Sequence, residues 1–189
     1  MKYRDSGMPD SEMWKTFFDP YFVLQNMEVD SSINKYLDIG CGYGTFLFPA
    51  SESVNKAIGY DIDESMISYC QKLKQQYERS NIELVHGDIS AQSSENFLSA
   101  NKNTFDYVSL FNILHCEEPV KLLNFAKDLI TGNGRIGVIH WQYRETPRGP
   151  SMDIRPKPEQ IIQWAESALL KAEKTVDLPP YHYGLIFTK

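Results

Sequence analysis

An α/β fold is predicted from the order of apolar and polar segments: a seven-stranded, mostly parallel sheet with helices on both faces and an antiparallel C-terminal hairpin strand. From residue 35 onwards, short apolar runs alternate with helix-compatible stretches. Such alternation is typical of a parallel sheet covered by helices on both sides. Near the end of the chain, two extended segments are separated only by a proline-containing turn, which predicts the hairpin.

The first five strands are predicted from short apolar runs. They lie at 36–39, 57–60, 82–85, 105–111 and 135–140. Helices are predicted between them, at 45–51, 64–77, about 92–99 and about 119–130, and Thr131-Gly132-Asn133-Gly134 is expected to end the last of these. A helix at about 158–170 and extended segments at 172–177 and 182–188, joined by Leu178-Pro179-Pro180-Tyr181, complete the order.

Residues 1–34 precede the sheet and are predicted to form a helical cap on a single compact domain whose main part is 35–189. Asp19 followed by Pro20 is typical of a helix N-cap and first helical position. Aromatic side chains in this segment are expected to pack on the edge of the sheet; they are Trp14, Phe17, Phe18, Tyr21 and Phe22.

Composition narrows the functional class. The chain has 189 residues, of which 42% are hydrophobic, enough for one domain with a sizeable core. A net charge of −6 argues against a nucleic-acid partner, which favours a basic face. Cys41, Cys70 and Cys116 show no metal-ligand spacing, so free thiols and no metal site are expected. With neither a signal-peptide pattern nor an apolar span, the predicted location is cytoplasmic.

The most informative motif runs from Asp38 to Gly44. An apolar run ends in an acidic residue, and glycines follow at alternate positions, 40, 42 and 44. Glycine is required where φ is positive or where a ligand approaches the backbone closely. The unpaired amides of a following helix attract a polar ligand. The dinucleotide fingerprint G-x-G-x-x-G requires a glycine where this chain has Thr45.

Other polar residues follow the next three strands, and open α/β sheets bind ligands outside the carboxyl ends of their strands. Asp61 follows the glycines by about twenty residues, the spacing of a carboxylate that binds ribose hydroxyls. Its alternative role is to cap the next helix, which would suit Asp63 better. Asp88, in His86-Gly87-Asp88-Ile89, follows the third strand, although a Gly-Asp turn also forms for geometric reasons. The fourth strand ends in Asn112, and Leu114-His115 follows.

Together these motifs resemble the class I S-adenosylmethionine-dependent methyltransferases, in particular the small-molecule type (methyltransferase domain 11/25-like). The resemblance covers 35–189 and implies a Rossmann-like fold, with S-adenosylmethionine as cofactor and S-adenosylhomocysteine as product. It implies that the glycines admit the methionine part, that Asp61 binds ribose and that Asp88 binds the adenine amine. The residues implied in cofactor binding are Asp38, Gly40, Cys41, Gly42, Gly44, Asp61, Ile62, Asp88, Ile89, Phe111 and Asn112.

The acceptor side of the site is expected after the fourth and fifth strands. The resemblance implies that His115 enters the substrate cavity, and its ordinary pKa near 6.5 suits a general base. The alternative is a histidine bonded to backbone at the start of a helix. His140 is the second candidate base. The loop after it supplies the substrate-binding candidates Trp141, Arg144 and Arg148, with Arg155 nearby to hold an anionic or planar substrate. Its alternative is a surface loop with solvated arginines.

The expected function is therefore methyl transfer from S-adenosylmethionine to a small-molecule acceptor, with no membrane partner. Three alternatives stay open. One is a non-catalytic module that binds S-adenosylmethionine, one is a methyltransferase acting on RNA or protein, and one is a nicotinamide-dependent oxidoreductase. The identity of the acceptor and the oligomeric state do not follow from the residues.

Overall fold

The computed structural model describes residues 9–89, 91 and 94–189. The helices are α1 (Ser11–Lys15), α2 (Pro20–Asn26), α3 (Leu47–Ala50), α4 (Glu64–Gln76), α5 (Ser94–Asn101), α6 (Pro119–Leu129) and α7 (Pro158–Ser167). The strands are β1 (Lys35–Ile39), β2 (Lys56–Asp61), β3 (Ile82–His86), β4 (Phe105–Phe111), β5 (Ile130–Trp141), β6 (Lys171–Leu178) and β7 (His182–Thr188). None of the described helices is long and apolar enough to cross a membrane.

The described strands form one sheet in the order β3-β2-β1-β4-β5-β7-β6. Strands β1 to β5 run parallel, whereas β7 runs antiparallel to both β5 and β6. The predicted fold class, including the C-terminal hairpin, is confirmed. Chain order reverses between β1 and β4, and a crevice at the carboxyl ends of the strands is expected at such a point.

Helices cover both faces of the sheet, as their apolar stripes require. On one face α6 buries four side chains, Leu122, Leu123, Ala126 and Leu129. On the other face α2 and α3 bury Val23, Leu24, Leu47 and Phe48. Strands β1, β2 and β4 are buried at all but one position each, because a parallel sheet covered on both sides exposes neither face to water.

Several predicted boundaries in the described chain are wrong by two residues or more. The helix expected at about 158–170 ends at Ser167, since Leu169 adopts a left-handed backbone with φ of 58°. The helix expected at 45–51 is limited to Leu47–Ala50, because Pro49 has no amide to donate to the helix hydrogen-bond ladder. The segment 131–134 was expected to separate a helix from a strand beginning at 135. Instead β5 begins at Ile130, directly after α6, and its pairing with β4 shifts in register here. Glycine tolerates such irregular strand backbone, so the four residues form a bulge.

The N-terminal segment was predicted to pack on the edge of the sheet. In the structure it packs over the carboxyl ends of the parallel strands, near the end of β5. Asp19 caps α2 by accepting from the amides at 21 and 22, as predicted. The ring of Phe17 lies 5.3 Å from Trp141, and that of Phe18 lies 4.4 Å from His182. Two other aromatic residues do not pack as expected, because α2 turns a different face to the core: Tyr21 is 58% exposed and Phe22 41%. Residues 1–8 of the expected cap lie outside the described part.

Candidate active site

A cavity of about 620 Å³ opens at the carboxyl ends of the parallel strands. Its wall combines the glycine turn after β1, the end of β2, the loops after β3 and β4, and the loop after β5. The lining residues from the sheet loops are Ile39, Gly40, Gly42, Tyr43, Tyr60, Asp61, Ile62, Asp63, Met66, Gly87, Ile89, Phe111, Asn112, Ile113 and His115. Pro9, Trp14, Trp141, Arg148, Gly149 and Pro150 complete the lining. This volume is within the range of small-ligand sites.

The turn after β1 is fixed against the end of β2. All three of its glycines have positive φ, between 50° and 75°. The amide of Gly40 donates to the Tyr60 carbonyl at 2.7 Å, and the amide of Gly42 donates to Asp61 at 2.7 Å. At Gly44 a Cβ would lie 2.6 Å from the ring of Phe48. Gly40 and Gly42 therefore present bare backbone to the cavity, while Gly44 and the buried Cys41 lie beneath the turn.

The buried carboxyl of Asp61 holds this turn against the end of β2. Asp61 lines the cavity and accepts from the amides of Gly42 and Asp63. Burial raises the pKa of Asp61 above its usual value, although the two hydrogen bonds act to lower it. Asp63 caps α4 by accepting from the Ser65 amide, so the capping role falls to Asp63. Asp61 is thereby left to join the glycine turn to β2 and to face the cavity.

Asp38 lies behind the turn and outside the cavity lining. Its carboxyl accepts from the Ser109 hydroxyl at 2.6 Å, and Ser109 in turn lies 2.8 Å from the Tyr36 hydroxyl. Only 2% of Asp38 is exposed. Burial raises the pKa of its carboxyl to about 7, although the Ser109 hydrogen bond acts in the opposite direction. The β1 strand thus carries an acid whose charge is costly in the absence of a cation.

Asn112 has the most unusual environment in the cavity wall. Its backbone is left-handed, with φ of 58°, a conformation that non-glycine residues adopt at a cost. Both polar atoms of its side chain are buried and lack a hydrogen-bond partner among the described residues. Unpaired buried amides are rare because each lost hydrogen bond costs about 1–3 kcal/mol. The side chain is therefore suited to pair with a polar ligand.

The two candidate bases contact each other, but only one borders the cavity. His115 lines it, whereas His140 is fully buried on β5 and is absent from the lining. Nε2 of His140 lies 3.3 Å from Nδ1 of His115. Burial, helped by the neighbouring His115, lowers the pKa of His140 well below its ordinary value. His140 is therefore neutral near physiological pH and has no direct access to a ligand.

Some side chains of the loop after β5 line the cavity, whereas others form hydrogen bonds that hold the loop in place. Trp141 and Arg148 line the cavity. Arg144 does not, because its guanidinium donates to the Gln142 side chain and to the Pro180 carbonyl, both at 2.6 Å.

Arg155 is a buried strut for this loop and was wrongly expected to contact a substrate. Only 6% of it is exposed. Its guanidinium donates to the carbonyls of Gln142, Arg144 and Pro150 at 2.7–3.1 Å and to the hydroxyl of Thr146. These donors are therefore committed to the backbone of the loop.

Comparison with known proteins decides the family. A sequence model of the family described as "Methyltransferase domain" matches residues 30–173, more than half of the chain. The chain belongs to this methyltransferase domain family. The family predicted from the glycine turn and the loops after β2, β3 and β4 is confirmed.

Curated relatives and solved structures resemble this methyltransferase domain. It is 29% identical over 104 residues to a demethylmenaquinone methyltransferase of Oceanobacillus iheyensis, covering 53% of this chain and 41% of the relative. It is 33% identical over 91 residues to the protein of the same name from Shouchella clausii, covering 47% and 36%. The matches thus span less than half the length of these relatives. The crystal structure of a SAM-dependent methyltransferase from Aquifex aeolicus shares the fold, with a TM-score of 0.81 and 22% identity, covering 94% of this chain and 93% of that one.

Some of the remaining residues predicted to bind the cofactor line the cavity of the methyltransferase domain, and one does not. Ile62 and Ile89 line the cavity, while Asp88 is half-buried beside it and absent from the lining. Several residues of the cavity wall were not predicted from the sequence. Of these, Tyr43 could have been predicted, because it lies inside the glycine motif between Gly42 and Gly44. Tyr60, Met66, Ile113, Gly149 and Pro150 were also missed, because strand and helix patterns do not reveal which apolar side chains border a crevice.

Proposed function

We propose that this methyltransferase domain binds S-adenosylmethionine and transfers its methyl group to a small-molecule acceptor. The buried, unpaired amide of Asn112 in the wall of a cavity of about 620 Å³ carries the proposal. An amide offers a donor and an acceptor, which suits the amino-acid part of such a cofactor. Family membership and the order of the loops support the same ligand.

The residues present fit this cofactor at three points. The bare backbone at Gly40 and Gly42 leaves room where a Cβ would intrude, since at Gly40 it would lie 2.8 Å from Ile113. Asp61 would accept from ribose hydroxyls with its remaining lone pairs, and Ile62 and Ile89 would flank the adenine. Phe111 and Asn112, which line the cavity, would contact the cofactor directly. Four further residues lie outside the lining and would support the site from behind its wall: Asp38, Cys41, Gly44 and Asp88.

When bound, S-adenosylmethionine supplies a methyl group already activated by the positive charge on sulfur. The protein's contribution is then to position the acceptor for in-line attack and to exclude water. Phe111, whose ring packs edge-on against Phe46 at 4.9 Å, and Trp141 are the fixed apolar groups suited to that task. A buried carboxylate at Asp38 would be stabilised by the cofactor's ammonium group, because opposite charge favours ionisation.

The acceptor is proposed to be small and to carry a flat, largely apolar ring. Trp14 and Trp141 contribute aromatic atoms to the lining, and aromatic surface favours contact with planar, largely apolar groups. His115 and Arg148 add polar groups to the same lining. The relatives named for demethylmenaquinone point towards an acceptor of this kind.

Titration calorimetry with S-adenosylmethionine and S-adenosylhomocysteine tests the cofactor. We expect one site per chain, and we expect Asp61→Asn to weaken binding about 10-fold or more, since a hydrogen bond to a charged group is worth about 1.5–3 kcal/mol. Glu64→Gln is the matched control, because it removes one exposed charge in the same segment and should leave the affinity unchanged. No heat with either ligand refutes the proposal.

Three further outcomes distinguish the alternatives. Binding of a reduced nicotinamide dinucleotide in place of S-adenosylmethionine would establish the oxidoreductase. Transfer of a labelled methyl group to hydroxylated or aminated aromatic compounds would establish the acceptor class. Cofactor binding without transfer to any member of such a panel, or to RNA or protein, would favour the non-catalytic module.

A further inference from the structure

The buried contact between His115 and His140 constrains where their protons lie. Since His140 is neutral, one of its ring nitrogens carries a hydrogen and the other carries a lone pair. The 3.3 Å contact between its Nε2 and His115 Nδ1 requires one of these atoms to donate and the other to accept. Two arrangements are therefore possible for the neutral pair.

The remaining nitrogen of His140 distinguishes the two arrangements. Its Nδ1 is buried. The Trp141 backbone lies close enough to the ring to raise its pKa, but it does not have the geometry of a hydrogen bond, so Nδ1 has no hydrogen-bond partner among the described residues. If Nε2 accepted from His115, Nδ1 would carry a hydrogen with no acceptor. If Nε2 donates, Nδ1 carries only an unpaired lone pair. Buried N–H groups without an acceptor are rarer in proteins than under-satisfied acceptors, so the second arrangement is favoured.

The charged and titratable groups around His140 oppose a positive charge on the pair. Neighbouring cationic forms of His115, His182 and Arg155 all disfavour charge on His140, and the Trp141 backbone offsets only part of their effect. On β7 the ring of Tyr183 lies 6.4 Å away, with its hydroxyl donating to the Pro156 carbonyl. Neither Arg155 nor Tyr183 supplies a carboxylate to stabilise an imidazolium, as an aspartate does in a serine-protease triad.

We infer that His140 is a positioning residue that donates from Nε2 to His115 Nδ1 and thereby fixes the hydrogen of neutral His115 on Nε2. His115 then acts in the cavity as a hydrogen-bond donor and not as a general base. Taking a proton from the acceptor would require a lone pair on Nε2, which this tautomer lacks.

This inference rests on the proposed function for its chemical consequence. An acceptor in this site must arrive with its nucleophilic lone pair available, as a thiolate, a neutral amine, an ionised hydroxyl or an activated carbanion. That lone pair forms the new bond to the methyl carbon, while the sulfur keeps the electron pair of the bond that breaks. His115 would donate to another electronegative atom of the acceptor and so fix its orientation.

Long-range proton–nitrogen correlation spectra of the full chain with isotope-labelled histidine test the inference without any ligand. The chain has only 4 histidines, so substitution of each assigns its signals. At about pH 8, where an ordinary histidine is neutral, we expect His115 to show a protonated Nε2 and an unprotonated Nδ1. A His115 ring that carries its hydrogen mainly on Nδ1 overturns the inference, whether or not the cofactor binds in calorimetry.

Variants of His140 separate positioning from a purely structural role. His140→Gln keeps a donor and should leave the His115 tautomer unchanged, whereas His140→Glu offers only acceptors when ionised and should move the hydrogen to Nδ1. His86→Gln, at an exposed ring bonded to the Ile62 carbonyl, is the control and should leave the His115 signals in place. If either variant fails to fold, the wild-type spectrum alone decides; a tautomer indifferent to both folded variants contradicts the role of His140.

Discussion

Replacing the buried Asp38 by asparagine is expected to stabilise the protein and weaken its cofactor site. The carboxyl is 2% exposed and accepts from the Ser109 hydroxyl at 2.6 Å. Asparagine retains an oxygen for that hydrogen bond but carries no charge. A stabilising change at a proposed functional residue is the expected signature of a group retained for binding.

The magnitude follows from the pKa of Asp38. Burial raises it from 3.8 to about 7. One pKa unit corresponds to about 1.4 kcal/mol, so the penalty for ionising Asp38 in the folded state is about 4 kcal/mol. Below about pH 4 the carboxyl is protonated in both states and the penalty vanishes. As the pH rises from about 4 to 7, the unfolded chain loses its proton first, so wild-type stability falls by this amount and then stays level.

Thermal unfolding followed by circular dichroism measures this difference. For a chain of this size, about 4 kcal/mol corresponds to a Tm increase of about 10 °C for Asp38→Asn at pH 8 and almost none at pH 4. Glu64→Gln, which removes an exposed charge, should match the wild type at both pH values. An Asp38→Asn variant less stable than the wild type at pH 8 would show that the folded state stabilises the charge.

Three other substitutions test further contacts of the fold and of the site. Gly44→Ala should lower the free energy of unfolding by about 2–5 kcal/mol, because it combines a left-handed φ of 75° with a Cβ only 2.6 Å from the ring of Phe48. Gly132→Ala is the control and should be nearly neutral, since no atom lies within 4 Å of its Cβ. Equal Tm values for the two variants would contradict this prediction. Arg155→Met should lower the free energy of unfolding by about 3 kcal/mol and speed amide hydrogen exchange at 142–150, because it removes the hydrogen bonds to the carbonyls of the loop. Arg144→Met is the control and should change both quantities little. Unchanged hydrogen exchange in Arg155→Met would show that Arg155 does not support the loop. Asn112→Gly should keep the left-handed backbone and the Tm but lose affinity for S-adenosylhomocysteine in calorimetry, and an unchanged affinity would separate that side chain from the ligand.

Much of the fold could be predicted from local sequence. Strand and helix periodicities gave the order of elements, because each buried strand is a nearly continuous apolar run and each helix has an apolar stripe. Errors arose where local signals admit two outcomes. The glycines at 132 and 134 suit a turn, but they also suit a bulge, and pairing with β4 selects the bulge. Tyr21 and Phe22 are aromatic, yet the core takes the opposite face of α2.

The candidate site was predictable where backbone geometry imposes residue types. The glycine turn and Asp61 are close in space because consecutive parallel strands end at the same edge of the sheet. The roles of Arg155 and His140 were not predictable, since they depend on side-chain burial and on contacts between distant segments. An arginine in a polar loop suggests a ligand contact until its donors are seen to hold that loop's carbonyls. A histidine ending a strand gives no sign of the ring it will meet.

A crystal structure of the full chain with S-adenosylhomocysteine tests the proposed cofactor site most directly. The ligand is predicted to lie in the cavity along Gly40 and Gly42, with ribose hydroxyls donating to Asp61 and with the Asn112 amide paired to the ligand. Ligand density in another part of the molecule, or a bound ligand that leaves the Asn112 amide unpaired and Asp61 out of hydrogen-bond reach, would contradict it.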